Sequence, residues 1–283
     1  MYPHLMKYIE EKEIFFKSSK DIVTNGQAKF FNDQRELLEK KELTKEDYEK
    51  SLDLSARNLT EYIIFRQIQI DRLKKVTSED KEEVIHNLIS PKGNFYPNKE
   101  VNKGLFANNA WILDDRFMSF TYAGSDKTLK ELSANIPIFD NSVPSSQSLD
   151  RPDYVLLFSN RLDETHKNVD VVVFEFKKLG MAQYNASIAK DQLLNYASKL
   201  KKICPKINKV WLYALIEFNE NIREILRNDE YKEKFSVHGE VWSKYNNPLS
   251  LEISFLDFMT LVNDADSRNK VFMDILRDKF IET

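Results

Sequence analysis

Asp153, Glu175 and Lys177 are residues whose types and spacing suit chemistry. Arg151-Pro152-Asp153 opens one apolar run. Val171-Val172-Val173-Phe174-Glu175-Phe176-Lys177-Lys178 closes the next with a second acid and a lysine. Strand side chains alternate, so Val171, Val173, Glu175 and Lys177 share one face, and Val172, Phe174 and Phe176 line the other, which reads as core. Charges emerging from the end of a buried strand are costly unless partners or a ligand compensate them. If the two runs pair side by side, the three groups converge. Two carboxylates then offer hard oxygen ligands that suit Mg2+ or Mn2+. Such an ion polarises a phosphoryl oxygen and lowers the pKa of a bound water. The lysine can stabilise the charge that builds on phosphorus or orient the attacking water. Phosphodiester hydrolysis needs this combination.

The elements that must position these groups can be read from pattern. Residues 1 to about 78 read as helical, with Thr44 as an N-cap and a broad apolar face from Leu54 to Leu73. Thr77-Ser78-Glu79-Asp80 is expected to cap a short helix from Lys81 to Ile89. Pro91 to Asn109 reads as a loop, Ala110 to Tyr122 as a strand or bent hairpin, and Gly124 to Asp150 as a long connection. Strands are expected at Tyr154–Phe158 and Val171–Lys177, joined by a polar turn through 160–168 and paired antiparallel. A helix from Ser187 to Lys202, a strand from Lys209 to Phe218 and a short helix from Glu220 to Asn228 follow. A terminal hairpin (Val237–Lys244, Ser250–Ser254) and a helix over Leu256–Phe280 close the chain. Helix, strand, strand, strand, helix, strand is the order of an α/β layered domain with a mixed sheet.

Composition narrows the function classes. The chain has 283 residues and a formal net charge of -3, so no global basic field advertises a polyanion partner. A local basic cluster of Lys177, Lys178, Lys199, Lys201, Lys202, Lys206 and Lys209 could still meet phosphates. A lone cysteine, Cys204, excludes an internal disulfide and fits a reducing, cytoplasmic setting as a small apolar filler. No run approaches a membrane span, so no membrane partner is expected. Zinc spacing, a glycine-rich phosphate loop, a calcium loop and a nucleophile elbow are all missing from the sequence. Asp114-Asp115-Arg116 reads as a salt-bridged turn and His86 as a structural histidine. On the helix after the second strand, Gln192, Asn195, Tyr196 and Lys199 fall on one polar face.

Pro152-Asp153 followed by Glu175-Phe176-Lys177, with that element order around them, resembles the PD-(D/E)XK nuclease superfamily over roughly residues 81 to 218. The resemblance implies a restriction-endonuclease-like αβββαβ core with a mixed sheet; the first 78 residues, a helical arm by their own pattern, and about the last 60 fall outside it, so the chain is expected to divide into the arm over 1–78 and a nuclease-like domain over 79–283. The domain would carry a C-terminal strand and helix extension. It implies an Mg2+-dependent (or Mn2+-dependent) endonuclease, with Asp153 and Glu175 as metal ligands and Lys177 as the catalytic lysine. It further implies Gln192 as the helix residue near the metal and Glu83, one turn from His86, as the acid completing the metal shell. Nucleic acid, DNA more than RNA, is the implied partner. The stretch from Tyr2-Pro3-His4-Leu5 through the arm and core also resembles the C-terminal portion of bacterial proteins that place such a nuclease after a GHKL-type ATPase. That likeness implies an upstream ATPase domain or subunit, more protein before Met1, and a role in defence against foreign DNA.

Two readings from other classes compete. One is a catalytically silent nucleic-acid-binding or assembly module on the same fold. The other is an interaction subunit whose N-terminal helices form a homodimer.

Overall fold

The computed structural model describes residues 44–96, 108–136, 150–159, 169–180, 182–246 and 250–281. The expectations for residues before 44, for 97–107, for 137–149 and for the turn at 160–168 lie outside the described residues.

The described residues fall into two compact units. In the first, residues 44–69 group with 268–281; in the second are the described residues from 70 to 267. The sequence-based division at residue 78 assigned the whole last helix to the sheet domain, whereas this grouping gives its final turns to the N-terminal helix. Helix α1 (Lys45–Leu73) starts directly after Thr44. Within the first unit, Asn269 Nδ2 donates to the Ile63 carbonyl at 3.3 Å and to Gln67 Oε1 at 2.9 Å. The Arg66 guanidinium lies over the rings of Tyr62 and Phe272 at 5.7 and 5.8 Å. Among the described residues, no helix is long and apolar enough to cross a membrane.

The second unit is an α/β layered structure with a mixed eight-stranded sheet. In chain order it contains α2 (Glu82–Ile89), β1 (Phe95–Tyr96), β2 (Tyr122–Ser125), α3 (Leu129–Asn135), β3 (Tyr154–Phe158) and β4 (Val169–Phe176). Then come α4 (Ala182–Ile203), β5 (Ile207–Ile216), α5 (Glu220–Asn228), β6 (Lys232–Lys234), β7 (Val241–Asn246), β8 (Leu251–Asp257) and the first turns of α6 (Phe258–Ile281). The strand order is β1-β2-β3-β4-β5-β8-β7-β6. β4, β5 and β8 are parallel neighbours and the remaining pairs are antiparallel.

A strand at the centre of a sheet covered on both sides must be apolar on both faces. β4 meets that demand with Val-Asp-Val-Val-Val-Phe-Glu-Phe, buried from Val171 to Phe176. One face did not serve as the core alone, as alternation suggested. Val171 and Val173 join Leu193, Ala197 and Leu200 of α4 and Leu212 of β5 in one apolar cluster. On the other face Phe174 stacks on Tyr213 at 4.9 Å, and Phe176 tilts against His86 at 5.3 Å. Alternation separates the two faces; it does not say that one is wet.

Several local expectations are corrected. Residues 110–119 form two 3-10 turns, Ala110–Ile112 and Asp115–Ser119, instead of a strand. The reason is side-chain competition for backbone groups. Asp114 accepts from the Arg116 N–H at 2.7 Å, and Asn108 Oδ1 accepts from the Ala110 N–H at 3.0 Å. Asp114 also pairs with the Arg116 guanidinium, so this is the salt-bridged turn its charges suggested. The long connection after Gly124 contains α3, started by a capping box of Thr128 and Glu131. A Cβ on Gly124 would meet Leu132 at 2.5 Å, so glycine lets this helix sit on the sheet. α4 begins at Ala182, which puts Ser187 inside the helix and not at its N-cap. Thr77 and Asp80 bond each other and do not cap α2; Lys81 is the N-cap residue and supplies no side-chain bond.

Candidate active site at the end of the fourth strand

The register of β3 on β4 pairs Tyr154 with Phe174, which brings Asp153 alongside Glu175. Asp153 sits in the bend before β3, and its Oδ2 accepts from the Phe176 N–H at 2.7 Å. Glu175 is the penultimate residue of β4 and only 3% exposed. Lys177 leaves the strand with its N–H donating to the Leu215 carbonyl at 3.0 Å. Its Nζ donates to Glu175 Oε1 at 2.5 Å and to Gln192 Oε1 of α4 at 2.8 Å. The structure thus brings Asp153, Glu175, Lys177 and Gln192 together.

The electrostatics follow from burial. Asp153 is pushed up to about 8, chiefly because burial disfavours its charge and then because Glu175 is close. The Phe176 N–H and Lys177 oppose that rise. Glu175 is also raised by burial, with Lys177 pulling it back. Two acids in each other's field share their protons as a pair. The second Glu175 oxygen, Oε2, is buried and has no hydrogen-bond partner among the described residues.

No family model matches the chain, and comparison with curated proteins and with solved structures gives no match.

Of the two adjacent acids at the start of α2, Glu82 is the one in the field of Asp153 and Glu175. Glu82 is half-buried at the start of α2 and raises both Asp153 and Glu175, whereas Glu83 is exposed and acts on His86. A single helical step of about 100° separates them, and the sequence offers no means to choose. Among the described residues no group of three or more His, Cys, Asp and Glu side chains stands close enough to hold a metal ion. Asp153 and Glu175 are the two carboxylates that the register brings together. That donor set still fits a hard cation such as Mg2+, which keeps several waters and needs few protein ligands. A cation there would meet the Glu175 oxygen that has no partner among the described residues, and would lower the raised pKa of Asp153.

The polar face of α4 is engaged rather than solvated. Gln192 holds Lys177, and the Tyr196 hydroxyl donates to the Arg151 carbonyl at 3.1 Å. Lys199 pairs with Asp150, to which Asn195 also donates at 3.4 Å. Tyr196 is raised by burial, with the charges of Glu175, Asp153 and Asp150 adding to it. Lys177 and Lys199, expected among the phosphate-facing lysines, are thus paired with the chain's own carboxylates. Asp126 was missed in the sequence. It stands at φ 51, a left-handed conformation that aspartate tolerates, and its N–H donates to the Asp153 carbonyl at 2.8 Å. His86 is buried behind the site, with Nε2 2.9 Å from Ser125 Oγ, which itself donates to the Ser90 carbonyl at 3.0 Å. Burial, aided by Lys92, lowers it to about 4, so it stays neutral. Cys204 is fully buried, as expected of an apolar filler.

Proposed function

We propose that the chain is a metal-dependent nuclease of the PD-(D/E)XK type, hydrolysing phosphodiester bonds of nucleic acid, DNA before RNA. The order α2, β2, β3, β4, α4, β5 supports an αβββαβ core, with β1 and α3 as additions to it. One observation carries the reading. Two carboxylates, one just before β3 and one near the end of β4, stand side by side while one buried Glu175 oxygen lacks a partner among the described residues, and a lysine is clamped beside them.

Asp153 and Glu175 would hold Mg2+ or Mn2+, which supplies Lewis-acid polarisation of a phosphoryl oxygen and a more acidic bound water. Lys177 places its ammonium beside the carboxylates and stabilises the negative charge that grows on phosphorus as water attacks and the sugar oxygen leaves. Gln192 is a positioning residue for Lys177. Tyr196 positions Asp153 through the Arg151 carbonyl. The proximity of Glu82 tunes both acids without bonding either of them among the described contacts.

The same Glu175–Lys177 pair also favours a second reading. At 2.5 Å, with side chains 4% and 11% exposed, the lysine already serves as the charge partner of Glu175. On that reading the domain is a silent nucleic-acid-binding or assembly module. Cleavage of supercoiled plasmid, linear duplex and single strands, with and without Mg2+, separates the two. Hydrolysis requires Mg2+ and falls by about 10²-fold or more in Lys177→Ala. Activity that survives Lys177→Ala, or none on any substrate, removes the nuclease reading.

A further inference from the structure

On the sheet face opposite α4, within the sheet-bearing unit, lies a cavity of about 430 Å3. Phe174 of β4 and Tyr213 of β5 form part of its wall, stacked at 4.9 Å with 16° between ring planes. Phe117 stands edge-on to both, at 5.5 and 5.9 Å. Two polar groups line this aromatic wall with bonding capacity in reserve. The Tyr213 hydroxyl makes no hydrogen bond among the described residues. Glu252 of β8 makes one ion pair, to Lys234 at 3.9 Å, which is longer than a hydrogen bond. Burial, opposed by Arg116 and reinforced by Glu252 and Asp114, pushes Tyr213 up to about 12, so its hydroxyl keeps its proton and can donate. At the rim, in the loop after β6, Phe235 is 92% exposed and Val237 is 72% exposed. Large apolar side chains exposed together beside a cavity mark a contact site.

We propose that this cavity binds an amino-bearing nucleobase, presented by a free nucleotide or by an unpaired strand. The volume lies in the range of small-molecule sites. A planar heterocycle can stack on the exposed aromatic Phe235 and on the aromatic wall. Glu252 accepts from an exocyclic amine while the Tyr213 hydroxyl donates to the ring nitrogen beside it. Adenine and cytosine present that donor and acceptor side by side. Thymine, uracil and hypoxanthine would turn a carbonyl oxygen toward the carboxylate, oxygen against oxygen. Arg116 and Lys234 line the same cavity as Asp114, Glu252 and Asp264 and are the groups a phosphate would approach. The site lies on the opposite face of β4 from Glu175, and it does not depend on the hydrolytic reading.

Calorimetric titration of the full chain in EDTA, where no metal-dependent cleavage occurs, tests it. The probes are adenosine and inosine monophosphates, a short oligodeoxyadenylate and an oligothymidylate of equal length. Both adenine probes, or the oligomer alone, should bind. Their preference over inosine monophosphate and oligothymidylate should be about tenfold, with a similar weakening in Phe235→Ala. Glu252→Ala should erase the preference for the amine. Binding by the mononucleotide identifies a free nucleotide as sufficient; binding by the oligomer alone identifies a base within a strand. No binding of either adenine probe overturns the proposal. Binding that is equal across the probes, or unchanged in both variants, overturns it too.

Discussion

Phe174 and Glu175 are consecutive residues of β4, yet they serve opposite faces of the sheet and different kinds of surroundings. On the Glu175 side, helix α4 reaches back with Gln192, Tyr196 and Lys199 and ties down the segments carrying Asp153 and Lys177. One Glu175 oxygen there is buried and has no hydrogen-bond partner among the described residues. On the Phe174 side the packing is aromatic, and Tyr213 and Glu252, which make no hydrogen bond through their side chains among the described residues, border an open cavity. Rigid polar clamping preorganises charge, whereas an aromatic wall with spare polar groups suits reversible docking. One strand can support both because the pleat sends neighbouring side chains apart.

Substitutions on the two faces should fail in different ways. The largest stability loss is expected from Phe174→Ala, which removes a fully buried ring from the aromatic wall. It should cost about 3–5 kcal/mol in denaturant unfolding. A small loss would mean that this face is not tightly packed.

Lys177→Ala comes next, because it leaves Glu175 as a buried charge without its ammonium. A cost of about 3 kcal/mol is expected, much of it recovered in Glu175→Gln/Lys177→Ala. The double-mutant cycle measures the coupling directly. Additive effects would show that the clamp contributes no coupling.

The pH dependence should distinguish His86 from Asp153. His86 is depressed from 6.5 to about 4, so the unfolded chain takes up a proton there before the folded one does. Its contribution to stability is present above about 6.5 and is lost as pH falls toward 4, by up to about 3 kcal/mol. Asp153 has the opposite sign. With its folded value raised to about 8, its contribution falls as pH rises from about 4 to 8. Unfolding curves across pH 4 to 8 should show a shallower acid loss in His86→Asn and a shallower alkaline loss in Asp153→Asn. If both variants keep the wild-type slopes, neither group is perturbed as stated.

Local pattern carried much of this fold. The apolar runs of β3, β4 and β5, the short helix α5 and the β7–β8 hairpin followed from periodicity and turn residues. Pattern failed where short-range side-chain bonds outweighed propensity, as at Asn108 and Asp114. It also failed at α3, although Thr128-x-x-Glu131 is a capping-box signature and could have been seen. For the site, Asp153, Glu175, Lys177 and Gln192 were legible because acids and amides stand out beside apolar strands. The choice of Glu82 over Glu83 was not, since it depends on the rotation of α2. The aromatic cavity was hidden as well. It needs β5 beside β8, a pairing between segments about forty residues apart that no local rule encodes.

The most direct test of hydrolysis at the end of β4 is Mg2+-dependent cleavage of supercoiled plasmid by wild type, Asp153→Asn and Glu175→Gln, each checked for folding by thermal melt. Metal-dependent hydrolysis predicts nicking or linearisation by the wild type in Mg2+, none in EDTA, and a loss of about 10²-fold or more in both folded variants. Equal cleavage by folded Asp153→Asn and wild type would contradict it.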